Sequence, residues 1–324
     1  PAELFVADTQ TNLIGKLCLV TGGTSGIGQV TARELARMGA DVVITARTQE
    51  KLSRSIENLR AGSGSSKVSG LVADLSSQDQ VRALVAQFKA DYPRLDVLVN
   101  NAGAIYFRRY LSVDGIEMNF AGNHLAYFLL TNLLLDLIID SSPARIINVS
   151  SSSHNGQVID FDDLECQHDY QFMAAYGKSK LANILFTNEL ARRLEGSGVT
   201  VNALHPGLVG TNIAGNNGWL LRFFLPLWRV WAMSSEQGAE TSIYLASSPD
   251  VEGVSGKYFY QKKAIPSSPY SGDRSVAKRL WDVSAQMTGL EPDFLLDSAV
   301  PGQAYDTVIN QDHDHQPGQG HQAG

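Results

Sequence analysis

A chain of 324 residues with 44% apolar side chains can bury a full core, as one large α/β domain or as two smaller ones. Its net charge of -7, from 26 basic and 33 acidic residues with no basic stripe, argues against nucleic acid as a partner. Two cysteines, Cys18 and Cys166, lie outside any CxxC and cannot make a disulfide framework, which fits a reducing compartment.

The elements alternate along the chain. Short apolar, β-branched runs recur at Lys16–Val20, Asp41–Thr45, Val68–Val72, Leu95–Val99, Arg145–Val149, Thr200–Leu204 and Lys257–Tyr260. Helical stretches lie between them, among them Ile27–Met38, Gln80–Asp91, Ile116–Asp136 and Phe172–Leu194. Near-continuous apolar strands separated by helices predict a parallel sheet buried on both faces. The expected architecture is a single doubly wound parallel sheet with helices on both faces, a Rossmann-type α/β fold, over residues 14–290. Residues 1–13 read as an N-terminal extension and 291–324 as a C-terminal one. Its polar, Gly-rich end, Asp312–Gly324, is expected to be disordered, with His313 and His315 as solvated tail residues. No metal site is expected. No run of about 18 uncharged apolar residues occurs, and no signal-peptide pattern is visible. The expectation is a cytoplasmic, soluble protein, with membrane association or a removed targeting segment left open.

The first strand runs into Thr21-Gly22-Gly23-Thr24-Ser25-Gly26-Ile27-Gly28, and a helix follows. Strand, Gly-rich turn and helix are the context of a dinucleotide fingerprint. Glycine lets the backbone approach a pyrophosphate, and the helix N-terminus offers free N–H groups to it. Gly22, Thr24, Ser25, Gly26, Ile27 and Gly28 are therefore candidate cofactor contacts. An NAD site expects a carboxylate near the end of the second strand, to bind the ribose 2′-hydroxyl. That strand ends Thr45-Ala46-Arg47 instead. Arg47 can pair with a 2′-phosphate, which favours NADP(H) over NAD(H). Asp41 is at the wrong end of the strand to take the acidic role.

Tyr176-Gly177-Lys178-Ser179-Lys180 puts Tyr176 and Lys180 at i and i+4, on one helix face. A nearby ammonium favours an ionised phenol, bringing it toward working pH as an acid/base. Ser151, after the strand Arg145–Val149, is placed to hold a substrate oxygen.

The motifs at 21–28, Asn100-Asn101-Ala102-Gly103, the serine run Ser150–Ser153, the Tyr176–Lys180 stretch and His205-Pro206-Gly207 together resemble the short-chain dehydrogenase/reductase family, over about residues 14–285. Gly122-Asn123-His124-Leu125, Ser179-Lys180-Leu181-Ala182-Asn183, Gly253–Phe259 and Lys278–Ser284 are similar to its retinol dehydrogenase-like branch. The resemblance implies roles residue by residue. Tyr176 is the acid/base, Lys180 holds the nicotinamide ribose and depresses the tyrosine, Ser151 orients the carbonyl, and Asn123 anchors a water relay behind the lysine. Asp74 and Leu75 flank the adenine, Asn101, Ala102 and Gly103 line the adenosine ribose, and Pro206, Gly207 and Thr211 the nicotinamide side. Ala126-Tyr127 stands where that branch typically has Gly-His, a departure that bears on substrate identity more than on chemistry.

Gly218–Met233 carries three of the four tryptophans and follows the Pro-Gly turn, where this fold places a substrate flap (near 211–234). An apolar flap suits a lipophilic carbonyl or alcohol: retinal-like, a fatty aldehyde or steroid-like. Arg222 and Arg229 make peripheral membrane contact compatible with it, and a homo-oligomer is compatible with the family. Trp281 reads as core, and His124 and His205 as structural hydrogen-bonders; His154 reads as a polar loop residue. The leading expectation is an NADP(H)-dependent oxidoreductase. Two alternatives share the fold: a catalytically silent nucleotide-sensing or scaffold protein, and a pigment reductase-like enzyme.

Overall fold

The computed structural model describes residues 12–207 and 233–291. Among them one sheet holds the strands β1 Leu17–Val20, β2 Asp41–Ala46, β3 Val68–Val72, β4 Val97–Asn100, β5 Ala144–Val149, β6 Val199–Leu204, β7 Tyr258–Tyr260 and β8 Lys263–Ile265. The spatial order is β3-β2-β1-β4-β5-β6-β7-β8. The pairings through β7 are parallel, and β8 returns antiparallel on β7. β1 to β7 are the apolar runs read from the sequence, with ends shifted by a residue or two. β8 carries no such signal: it is three residues long and two of them are exposed.

The helices are α1 Gly26–Arg37, α2 Gln49–Ser63, α3 Gln78–Asp91, α4 Met118–Phe120, α5 Ala126–Leu133, α6 Leu135–Asp140, α7 Phe172–Arg193, α8 Ser235–Ser247 and α9 Arg274–Met287. The single helix expected over Ile116–Asp136 is divided. A π-helical turn, Ala121–Leu125, separates α4 from α5, and α5 ends at Leu134, whose φ of -97° and ψ of 0° leave the helical region. The π turn holds Asn123, whose side-chain amide accepts from the Ala104 N–H and donates to the Ala104 carbonyl, each at 2.9 Å. Widening the helix by one residue per turn is a common way to aim a functional side chain.

Alternate strand residues face opposite layers. Leu17, Leu19, Leu98, Ile146 and Val201 pack with α3, α5, α7 and α9 through Phe88, Phe128, Phe186 and Trp281. Cys18, Val20, Ile44, Val99, Ile147 and Val149 pack with α1, α2 and α8 through Leu35, Leu59 and Leu245. Each fully buried side chain of this size contributes roughly 1.5–3 kcal/mol. Both cysteines are free and buried, and burial pushes the Cys18 thiol up.

Beneath the sheet, Asp96 ties three segments together. It accepts from the Lys16 ammonium at 2.9 Å, the Leu17 N–H at 2.9 Å and the Arg94 Nε at 2.7 Å. Burial raises its carboxyl, but the bonds from Arg94, Leu17 and Lys16 outweigh that and hold it below the usual range. A depressed folded-state value stabilises above the unfolded pKa, near ~3.9, and that stabilisation is lost as pH falls through the folded value. Asp96→Asn is therefore expected to cost roughly 1–2 kcal/mol at pH 7, with the deficit closing near pH 3. Urea melts of both proteins at the two pH values check this.

The strand order reverses between β1 and β4, each of which runs on to a neighbour on its other side. Ligands of open α/β sheets bind in the crevice at the carboxyl ends of such strands. The glycine turn after β1 and the Asn101-Ala102-Gly103 segment after β4 meet there.

Candidate active site

The crevice is built by Thr21. Its Oγ1 accepts from the N–H of Asn101 at 2.8 Å and of Ala102 at 3.0 Å, and its carbonyl accepts from the Asn101 side chain at 2.8 Å. This draws the loop after β4 onto the glycine turn. A Cβ on Gly28 would stand 2.3 Å from the Asn101 Nδ2 and 2.6 Å from the Gly22 carbonyl, so the segments pack only with glycine there. Gly22 and Gly26 take positive φ, 66° and 55°.

The helix that follows suits a phosphate. Thr48 caps α2 and Ser77 caps α3, with Glu50 and Asp79 in their first turns. Ser25 makes no side-chain cap on α1, and no acidic residue lies in its first turn. Its leading N–H groups are left to an anion. At the end of β2, Ala46 is buried and Arg47 is exposed. Lys51 stands close by: burial, then Arg47 and Arg54, lower its pKa. Lys51 and Arg54 extend the basic cluster beyond the one arginine read from the sequence, which had no signal for them without the turn of α2. Asp41 is at the far end of β2, paired with Lys67 at 2.8 Å. These groups fit an anionic nucleotide cofactor.

The proposed adenine-side residue Asp74 spends one oxygen on its own loop, accepting from the Ser76 N–H at 3.0 Å and Oγ at 2.8 Å. Leu75 is partly buried against the core beside it. Gly207 has φ 85°, and its N–H donates to the His205 Nδ1 at 3.3 Å. Pro206 and Gly207 thus stand at the end of β6, beside Met233. Thr211, the Gly218–Met233 flap up to residue 232, the N-terminal residues 1–11 and the tail with His313 and His315 lie outside the described residues.

On the catalytic side, α7 sets Tyr176 and Lys180 one turn apart, with the ammonium 5.8 Å from the phenol ring centre. Ser151 lies close enough to the Tyr176 phenol to pull its pKa down, and its Oγ donates to the Ser153 Oγ at 3.2 Å. Its neighbours have other partners: the Ser150 hydroxyl donates to the Lys180 carbonyl at 2.7 Å, and the Ser153 N–H donates to the Ser151 Oγ at 3.1 Å. Lys180 Nζ donates to the Val149 carbonyl at 3.0 Å. Asn123 also donates to the Ser179 Oγ at 3.1 Å, and its carbonyl accepts from Asn183 at 2.8 Å. Gly103 joins the two halves: a Cβ there would lie 3.2 Å from Asn123 Oδ1 and 3.3 Å from Lys180 Nζ.

Burial is the largest influence on both groups of the pair. Burial pushes the Tyr176 phenol up to about 12, against a downward pull from Ser151. Burial also pulls Lys180 down to about 7. Desolvation disfavours the charged form of each group, so it raises the phenol and lowers the ammonium.

The sequence reading also missed the histidine behind Ser151. His154, read from the sequence as a polar loop residue, is buried. Its Nε2 accepts from the Ser268 N–H at 3.1 Å, so Nδ1 carries the proton and donates to the Ser151 carbonyl at 2.7 Å. The Tyr258 hydroxyl lies 3.4 Å from that nitrogen, and His205 stacks between Tyr258 and Tyr260. A lone histidine in a long loop carried no sequence signal for this. His124 is structural as expected: Nδ1 meets Asn183 Oδ1 at 3.3 Å and Nε2 meets Ser284 Oγ at 2.9 Å, and burial lowers it to about 4. Among the described residues no cluster of three His, Cys, Asp or Glu side chains could hold a metal ion, and no helix is long and apolar enough to cross a membrane.

A phosphate-receptive turn facing a buried phenol across the strand ends marks the class as a nucleotide-dependent α/β oxidoreductase. The family model described as short chain dehydrogenase matches residues 16–218, and the chain belongs to that family. It stands in the retinol dehydrogenase-like branch. It is 47% identical over 293 residues to human Retinol dehydrogenase 14, covering 85% of this chain and 87% of the relative. It is 42% identical over 286 residues to mouse Retinol dehydrogenase 12, covering 88% and 90%. Among solved structures, an uncharacterized protein from Mycobacterium Paratuberculosis is 32% identical with a TM-score of 0.71, over 87% of this chain and 96% of that one. A Pseudomonas aeruginosa RhlG/NADP active-site complex is 30% identical with a TM-score of 0.61, over 80% and 98%. The chain is thus an oxidoreductase that moves hydride between a nicotinamide cofactor and a CH–OH or C=O carbon.

Proposed function

We propose that the protein is an NADP(H)-dependent oxidoreductase of lipophilic alcohols, aldehydes or ketones, with Tyr176 as acid/base. The observation that carries this reading is the buried Tyr176 phenol, beside Ser151 and one helical turn from Lys180. A bound nicotinamide supplies or accepts the hydride. In the reducing direction Tyr176 gives its hydroxyl proton to the carbonyl oxygen, and Ser151 holds that oxygen with a second hydrogen bond. Lys180, charged, favours the phenolate left behind and holds the ribose; Asn123 keeps the loop after Gly103 in place through Ala104. Asp74, Leu75, Asn101, Ala102, Gly103, Pro206 and Gly207 line the remainder of the cofactor crevice.

The preference for NADP(H) rests on Arg47 just after β2, which ends Thr45-Ala46 with no carboxylate, and on Lys51 and Arg54 in α2. Arg47→Asp is expected to lower NADPH affinity about tenfold to a hundredfold and leave NADH affinity within a small factor, as loss of a charged hydrogen bond to phosphate implies. Fluorescence titration with both nucleotides checks it; an unchanged ratio would remove Arg47 from the phosphate site.

The lipophilic substrate class is supported by apolar side chains at the start of α7. Phe172 and Met173, 38% and 49% exposed, open α7 one turn before Tyr176. Phe107 packs on Phe172 with ring centres 4.9 Å apart. The names of the relatives, retinol dehydrogenases, agree with an apolar substrate. The deciding experiment is a titration with NADPH and NADH followed by a panel of aldehydes and ketones, read at the reduced-nicotinamide absorbance. Tighter NADPH binding with turnover of long apolar aldehydes is expected. Binding without turnover on any carbonyl would favour a nucleotide-binding scaffold.

A further inference from the structure

One buried group beside the catalytic pair has no part in the chemistry above. Tyr127, 1% exposed, lies in the first turns of α5. The Lys180 ammonium sits over its ring, 5.5 Å from the centre. Its hydroxyl is closed off from solvent and has no hydrogen-bond partner among the described residues. Lys180 is as enclosed as Tyr127. An ammonium carries three N–H donors, and the Val149 carbonyl takes one of them.

The titratable groups gathered here are Tyr176 on the lysine's own helix, Tyr127 on α5, Tyr258 on β7 and His154 after β5. Tyr176 acts electrostatically on both Tyr127 and Tyr258. Burial acts on Lys180, and no carboxylate offsets it. What keeps this cation charged must therefore come from neutral groups. An aromatic face attracts a desolvated cation. A buried hydroxyl that needs a partner, and an ammonium with donors to spare too distant for a direct bond, are complementary to one water held between them.

We propose that Tyr127 is a positioning residue for Lys180: its ring face carries the ammonium, and its hydroxyl holds a buried water that hydrates it. The proposal deepens the oxidoreductase reading and rests on it. It assigns Tyr127 control over the pH at which the lysine discharges. Reduction needs a protonated Tyr176 and a charged Lys180, so a lysine that discharges earlier moves the alkaline limb of carbonyl reduction to lower pH.

The test is the titration of Lys180 by NMR of protein labelled with 13C-lysine, the resonance assigned by its loss in Lys180→Met. It is run on the wild type, Tyr127→Phe and Tyr127→Leu, with the pH profile of reduction measured beside it. Tyr127→Phe removes one oxygen and is expected to lower the Lys180 pKa by about half a unit. Tyr127→Leu removes the ring as well and is expected to lower it by about one unit, with the alkaline limb following. A role in packing alone would lower the melting temperature of the Leu variant and move neither the titration nor the limb. An unmoved Lys180 in Tyr127→Phe and in Tyr127→Leu overturns the proposal; should the Leu variant not fold, an unmoved Lys180 in the Phe variant does so alone. A Tyr176→Phe control separates the two readings. If that variant still turns over, the acid/base assignment fails. If it is inactive while Lys180 does not move, only the role of Tyr127 fails.

Discussion

Tyr176→Phe is expected to lower carbonyl turnover by about a thousandfold while nucleotide binding stays as in the wild type. The phenol is the group proposed to give the proton beside Ser151, and it is buried, so bulk water does not replace it readily. General acid–base groups of this kind contribute typically ~10²–10⁴ in rate. The ring of phenylalanine keeps the contact with α7 and its neighbours, so the fold and the glycine turn are undisturbed. Stopped-flow reduction at saturating NADPH, with a parallel binding titration, reads both quantities. Turnover within a small factor of the wild type would show that another group handles the proton. Ser151→Ala should show a smaller loss, since it removes one of two hydrogen bonds to the carbonyl oxygen and leaves the proton donor.

The second large effect is on stability. Trp281→Ala is expected to cost about 4 kcal/mol and to lower the melting temperature by on the order of 10 °C. The indole of α9 is 2% exposed and packs edge-on against Phe128 of α5, with centres 5.0 Å apart, and stacks on Phe186 of α7 at 5.9 Å. The Arg193 guanidinium covers it at 4.2 Å. Truncation leaves a cavity that three helices cannot close without moving. The effect reaches the site, because α9 also holds the π turn through Ser284 and His124. Calorimetry of Trp281→Ala and Trp281→Phe checks the argument. The Phe variant should recover more than half of the loss, and equal loss in both would point to the indole N–H instead of the packed ring.

Much of this was legible in the residues. The central strands β1, β2 and β4 to β6 are apolar runs buried along most of their length, and such runs between amphipathic helices have few other ways to be buried. The glycine turn was legible because backbone that meets backbone tolerates no Cβ, as Gly28 against Asn101 shows. Tyr176 and Lys180 were legible because helical spacing alone puts i and i+4 together. Local rules of this kind act over a few residues and so survive in the one-dimensional pattern.

What escaped depends on segments far apart in the chain. β8 forms because β7 offers an edge, not because its three residues favour a strand. The π turn at Ala121–Leu125 follows from a bond between Asn123 and Ala104, 19 residues away. His154 reaches Ser268 across 114 residues, and Lys51 joins Arg47 only once α2 has turned. The chain's pattern by itself determined the sheet, the glycine turn, the helix that carries Tyr176 and Lys180, and the basic end of β2. The tertiary structure alone decided the protonation of the site, because burial depends on every wall of the pocket. Spacing along α7 predicts a lysine that draws the tyrosine down. The walls supplied by β5, β7 and α5 remove the water around both groups, and desolvation then governs the phenol and the ammonium alike.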